Sequence, residues 1–129
     1  MKKERKIKSR KELKELLSRL RKRGKKIAFT NGCYDLLHAG HLYCLRRAKE
    51  EGDVLVVGLN TDRSVRRLKG EGRPLLGQKE RGILLSALEC VDFVTFFNED
   101  TPRKIIRELK PDVLIKGGDY KKDEVVGRD

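Results

Sequence analysis

Four short apolar runs recur along the chain, each set off from the next by a stretch of helical periodicity, and that alternation narrows the possible folds more than any other feature. The runs are Ile27-Ala28-Phe29, Val54-Leu55-Val56-Val57-Gly58-Leu59, Phe93-Val94-Thr95-Phe96-Phe97 and Val113-Leu114-Ile115. The second is continuous rather than alternating. A strand with one wet face alternates polar and apolar residues, whereas a parallel strand covered on both faces does not. Strands that alternate with helices, one after another, build a parallel sheet by crossover connections.

The helical stretches carry their own punctuation. Ser9-Arg10-Lys11-Glu12 is a capping-box pattern. Leu13, Leu16, Leu17 and Leu20 after it fall on one helical stripe, which should stop at Gly24. A second helix is expected from near His38 to Gly52, with Leu42, Leu45 and Ala48 on one face. Asp62 can cap a short helix through Leu68, followed by a glycine-rich loop from Lys69 to Gln78. Lys79 to Cys90 reads as a helix with Ile83, Leu84, Ala87 and Leu88 inward. Thr101 at the cap and Pro102 at the first helical position open a last helix, with Ile105, Ile106 and Leu109 inward and Pro111 as its stop. The expected fold is α/β, a single-domain, doubly wound parallel sheet of Rossmann-like kind. In such sheets ligands bind at the C-terminal ends of the strands. The loops 30–41, 60–73 and 116–120 should therefore converge on one site.

With 129 residues the chain suits one domain. Its net charge of +12 suggests a polyanion until it is located. Residues 1–26 hold 14 Lys and Arg against 3 Asp and Glu, while residues 27–129 hold 18 against 17. The excess thus belongs to a basic N-terminal segment with a helix, 1–26, set before a balanced domain, 27–129. That segment reads either as a polyanion-binding arm or as a solvated helix face. No interleaved aromatic residue is available to stack on bases, which argues against nucleic acid as a partner. The three cysteines, Cys33, Cys44 and Cys90, form no Cys-x-x-Cys pair, and an odd number argues against a disulfide framework. No apolar run approaches membrane-spanning length and no leader-like stretch opens the chain. The expectation is a cytoplasmic protein without a membrane partner.

The chemistry concentrates in the loop from Thr30 to His41, which reads Thr30-Asn31-Gly32-Cys33-Tyr34-Asp35-Leu36-Leu37-His38-Ala39-Gly40-His41. His38 and His41 are the only histidines, three apart at a helix start, so their side chains are neighbours. A helix N-terminus offers unpaired amides and a positive dipole end to an anion. Gly32 lets the backbone approach a ligand closely. Gly40 leaves room between the imidazoles for a flat base or a phosphate. Two imidazoles at such a position would stabilise charge that builds on a phosphate chain. Other readings are a zinc pair, which lacks further nitrogen or sulfur ligands, or two surface histidines without a role. No protein-bound metal is expected. Cys33 reads as a small core residue rather than a covalent nucleophile.

The wording of this loop resembles a known group. His-x-Gly-His after the first strand is the signature of the nucleotidyltransferase superfamily that includes cytidylyltransferases and pantetheine-phosphate adenylyltransferase. Taken together, the segments 30–41, 58–74, 91–102 and 110–120 look like the adenylyltransferases that make ADP-heptose from ATP and D-glycero-β-D-manno-heptose 1-phosphate. The resemblance covers about residues 10 to 128 and implies roles residue by residue. His38, His41 and Lys69 would be catalytic, holding phosphates and steadying the transition state. Thr30, Asn31, Gly32, Cys33, Tyr34, Gly40, Gly117, Gly118, Asp119 and Tyr120 would border the nucleotide. Asp35, Asp62 and Arg81 would contact the acceptor or order the site. For Lys69, Asp62 and Arg81 the structural alternatives are a solvated loop lysine, a helix cap and a solvent-facing helix residue. Mg²⁺ would accompany ATP, held mainly by the substrate phosphates, and a homodimer is compatible with the superfamily. The product would feed the inner core of lipopolysaccharide. Members of the family continue to a strand and a Ser-Thr-Thr motif that helps hold the triphosphate. A chain ending at Asp129 is therefore expected to be part of a longer protein. A sugar kinase is sometimes fused upstream in relatives, and a chain of this length has no room for one. Competing readings are another transferase of the superfamily with a different acceptor, a nucleotide sensor without turnover, and a nucleic-acid-binding module driven by residues 1–26.

Overall fold

In the computed structural model, residues 3–116 are described. Gly117, Gly118, Asp119 and Tyr120 lie outside them. Four strands form one parallel sheet: β1 (Ile27–Gly32), β2 (Val54–Asn60), β3 (Phe93–Phe97) and β4 (Val113–Ile115), in the order β3-β2-β1-β4. Ile27 stands opposite Val54, Val56 opposite Phe93 and Ala28 opposite Val113. Winding proceeds from β1 outward through β2 to β3, then returns across the sheet to place β4 on the other side of β1. The reversal opens a crevice above the C-terminal ends of β1 and β4, the switch point where open α/β sheets bind ligands.

Among the described residues, five α-helices cover the sheet: α1 (Arg10–Lys22), α2 (Ala39–Lys49), α3 (Asp62–Lys69), α4 (Gln78–Ser86) and α5 (Arg103–Leu109). One core layer joins Leu13 and Leu17 of α1 and Ile105, Ile106 and Leu109 of α5 to Phe29 and Val56. The other joins Leu45 and Ala48 of α2 and Leu85 of α4 to Leu55, Val57 and Val94. Every residue of β2 is buried, as an apolar run covered on both faces requires.

The described part of the basic segment is built into this body. Ser9 caps α1 with both halves of the capping box formed. Leu13 and Leu17 are fully buried, and Arg10 pairs with Glu99 and Glu108. Ile7 bridges to Val94 beside β3, and the amide of Lys8 donates to Val94 O at 2.9 Å. Lys11, Lys14, Arg19 and Lys22 remain exposed on the outer side of α1.

Three local expectations change. The helix after the glycine-rich loop is shorter than Lys79–Cys90 and is turned the other way. Arg81, Gly82, Leu85 and Ser86 face inward, while Leu84 is 43% exposed. A hydrophobic stripe cannot reveal a buried arginine, and here one is the largest fully buried side chain. Thr61, not Asp62, caps α3, its hydroxyl accepting from the amide of Ser64. That frees the Asp62 carboxylate for a different partner. Pro102 occupies the cap of α5 and the helix starts at Arg103, one residue later than expected.

Candidate functional site

A cavity of about 740 Å³ lies over the β1 and β4 ends. Of the residues singled out from the sequence, Asn31, Gly32, Cys33, Tyr34, Asp35, His38, Gly40, His41 and Lys69 line it. Thr30 does not. It is buried in β1 and hydrogen-bonds the Tyr34 side chain.

The histidines start α2 in an unusual way. His38 is the N-cap residue in extended backbone, and its Nδ1 accepts from the amide of Gly40 at 3.0 Å. In return, the amide of His38 donates to Nδ1 of His41 at 3.2 Å. This is the reciprocal geometry of a capping box, made from two imidazoles instead of a Ser and a Glu. Because both Nδ1 atoms accept, the hydrogen-bond pattern assigns the ring proton of each histidine to Nε2. The pair therefore offers Nε2–H donors to whatever fills the cavity. The rings stack with centroids 3.9 Å apart, and Tyr34 meets His41 edge-on at 5.3 Å. Burial, His38 and Lys69 together hold His41 below the usual histidine range, which favours its neutral form.

The stacking corrects the role expected of Gly40. No space remains between the imidazoles for a base. Instead, a Cβ at Gly40 would lie 2.9 Å from Cε1 of His38 and 3.0 Å from its Nδ1. The glycine lets His38 fold back onto the helix start. Gly32 acts similarly, since a Cβ there would come within 2.9 Å of the Tyr34 ring. Gly40→Ala should therefore leave the fold intact, as Ala favours a helix, while displacing the His38 ring. Any activity of the site is expected to fall by up to about 100-fold, the effect of a displacement of about 1 Å, with an unchanged circular dichroism spectrum.

Asp35 and Arg81 organise the loops. The Asp35 carboxylate accepts from the amides of Leu75 (2.6 Å) and Leu76 (3.2 Å) and from Arg73 (2.8 Å). Burial alone would raise its pKa, but the Arg73 hydrogen bond and the Leu76 and Leu75 amides outweigh that and hold it below the usual carboxylate range. Arg81 is fully buried and does not line the cavity. It donates to Leu76 O (2.9 Å), Cys33 O (2.8 Å), Asn60 O (2.8 Å) and the Asp62 carboxylate (2.7 Å). One guanidinium thus joins the loops after β1 and β2 to the loop before α4. Asp62 stays outside the cavity wall as its partner. Burial pushes the Cys33 thiol up, which makes it a poor nucleophile.

Residues 29–127 match the Cytidylyltransferase-like family. The chain belongs to that family. Bifunctional protein HldE of Citrifermentans bemidjiense is 57% identical over 124 residues, covering 96% of this chain and 26% of that protein. The same-named protein of Geobacter metallireducens is 63% identical over 107 residues, covering 83% and 22%. The chain spans about a quarter of the length of the curated relatives it matches. A solved structure, the lipopolysaccharide core biosynthesis protein from Thermoplasma volcanium, is 32% identical with a TM-score of 0.65, over 70% of this chain and 73% of that one.

The match to the Cytidylyltransferase-like family begins at Phe29, so it takes in the whole switch-point site. Several lining residues had no counterpart in the sequence reading. Pro102 and Ile106 enter because α5 lies beside the switch point, Leu114 and Ile115 because β4 borders it. Cys44 stands one helical turn after His41, a spacing that would have revealed it. Lys116 was legible only as the first residue of the loop 116–120.

Proposed function

We propose that this domain transfers AMP from ATP to D-glycero-β-D-manno-heptose 1-phosphate, giving ADP-heptose and pyrophosphate for lipopolysaccharide core synthesis. The observation that carries the reading is the stacked His38–His41 pair, both Nδ1 atoms engaged and both Nε2–H groups left for a ligand, in a switch-point cavity. Wording of the loops 30–41, 58–74, 91–102 and 110–120, and similarity to HldE proteins and to a lipopolysaccharide core biosynthesis protein, support the acceptor.

A phosphate oxygen of the sugar attacks the α-phosphorus in line; the bond to the bridging oxygen breaks and pyrophosphate departs on the opposite side. No protein nucleophile is needed. The imidazole donors meet charge as it builds on the phosphate chain, in a site where they are already oriented. Lys69 supplies a cation at the rim, and Asp35 and Arg81 order the loops around the acceptor. The protein offers Mg²⁺ no open carboxylate among the described lining residues, since Asp35 is occupied by three donors. Such a lining would suit an ion held mainly by the substrate phosphates, whose charge it would neutralise. The proposed enzyme works in the cytoplasm, and a homodimer is compatible with the superfamily.

The family's own description favours a second reading, in which CTP replaces ATP and the acceptor is another phosphorylated small molecule. Pyrophosphate release decides between them. ATP or CTP is supplied with Mg²⁺ and heptose 1-phosphate, glycerol 3-phosphate or phosphocholine in turn. Release that requires ATP with heptose 1-phosphate is expected. Turnover with CTP moves the substrate but keeps the mechanism, and nucleotide binding without any turnover would leave a sensor.

A further inference from the structure

We propose that Lys116 is a second phosphate-binding cation of this site, serving the nucleotide, and that Lys69 serves the acceptor phosphate. The inference rests on the nucleotidyl-transfer reading. Both lysines line the cavity, and both are exposed. Among the described residues neither has an ion-pair partner, whereas Arg73 is already committed to Asp35. Unpaired cations facing a concave surface focus potential on an anion.

Their places in the fold divide the work. Lys116 follows β4, where Ile115 pairs with Thr30, so it stands one step further along beside Asn31. Lys69 ends α3, which follows β2. Strand order puts β4 and β2 on opposite sides of β1, so the two cations reach the cavity from segments that follow opposite neighbours of β1. In-line transfer can use this arrangement, since the attacking and departing groups carry negative charge on opposite sides of one phosphorus. The two flanks also differ in polarity. Leu114 and Ile115 of β4, with Pro102 and Ile106 of α5, make an apolar wall on the Lys116 side. A flat base needs such a wall. On the Lys69 side, Asp35 holds the loop that carries the cation Arg73. The nucleoside and its phosphates therefore belong beside Lys116, and the sugar phosphate beside Lys69.

Calorimetric titration of ATP with Mg²⁺ into wild type, Lys116→Met, Lys116→Arg and Lys69→Met tests this without requiring turnover. Lys116→Met is expected to weaken ATP binding about 10-fold or more, the worth of one charge-assisted contact. Lys116→Arg should recover most of that loss, and Lys69→Met should stay within about threefold of wild type. In steady state the pattern reverses for the acceptor: Lys69→Met raises the sugar phosphate KM about 10-fold and Lys116→Met leaves it within about twofold. Wild-type affinity for ATP in Lys116→Met, or a raised acceptor KM in that variant, would overturn the assignment. Should the wild type bind ATP yet turn over no sugar phosphate, the functional reading fails while the titration still decides the role of Lys116.

Discussion

Removing either imidazole is expected to lower kcat about 100- to 1000-fold, the range found when one oriented donor to a developing anion is lost. The ground state makes little use of these donors, so nucleotide KM should move much less than kcat. His38→Ala and His41→Ala together should cost little more than one alone. Each ring fixes the other through stacking and the crossed Nδ1 hydrogen bonds, so they act as a unit. His38 also caps α2, and a loss of activity could come from a frayed helix start. His38→Asn separates the two effects. Asn is among the best capping residues and retains an acceptor for the Gly40 amide, but it lacks the Nε2–H. Its stability should lie within about 1 kcal/mol of wild type, while its turnover falls as in His38→Ala. Pyrophosphate release and thermal melting on the same samples read both quantities. Near-wild-type turnover in His38→Asn would remove His38 from the chemistry.

Arg81 carries the largest expected effect on stability. Arg81→Leu leaves the carbonyls of Leu76, Cys33 and Asn60 and the Asp62 carboxylate without their donor. Breaking a buried charge network by removing one partner costs about 3–5 kcal/mol. For a domain of this size that corresponds to a fall in Tm of roughly 10 °C or more. Arg81→Lys should recover little, because an ammonium on a flexible stem cannot reproduce a planar fork that reaches four acceptors. Asp62→Asn should be milder, since Asp62 is part-exposed and its loss leaves Arg81 three acceptors. Thermal unfolding by circular dichroism checks the order Arg81→Leu, then Arg81→Lys, then Asp62→Asn. A Tm shift of less than about 3 °C in Arg81→Leu would show that the loops are held by something else.

These two sites also mark what could be read from residue order. Phe93–Phe97 and Val113–Ile115 have the expected bounds because apolar runs leave the backbone few alternatives. The histidine pair was legible because three-residue spacing at a helix start makes neighbours in any helix. Spacing does not fix ring orientation, however, and so Gly40 was expected to open a gap that the stacked imidazoles close. The burial of Arg81 was hidden for a related reason. Helical periodicity registers apolar side chains, and a guanidinium buried among carbonyls looks in sequence like any solvated arginine. Thr61 and Asp62 are adjacent and both suit a cap; only the partner waiting at Arg81 decides which one takes it. The partners of these groups come from loops far apart in the chain, and no local pattern contains them.

In the proposed reaction the nucleotide is cut between its α- and β-phosphates and the nucleoside monophosphate is handed to the sugar phosphate. Following a radiolabel placed at the α- or the γ-phosphorus of ATP, with Mg²⁺ and heptose 1-phosphate, tests it most directly. The α-label is expected in a nucleotide sugar and the γ-label in pyrophosphate, with both products formed far more slowly by His41→Ala. Appearance of the γ-label in the sugar, or release of the α-label as free AMP with the sugar unchanged, would contradict it.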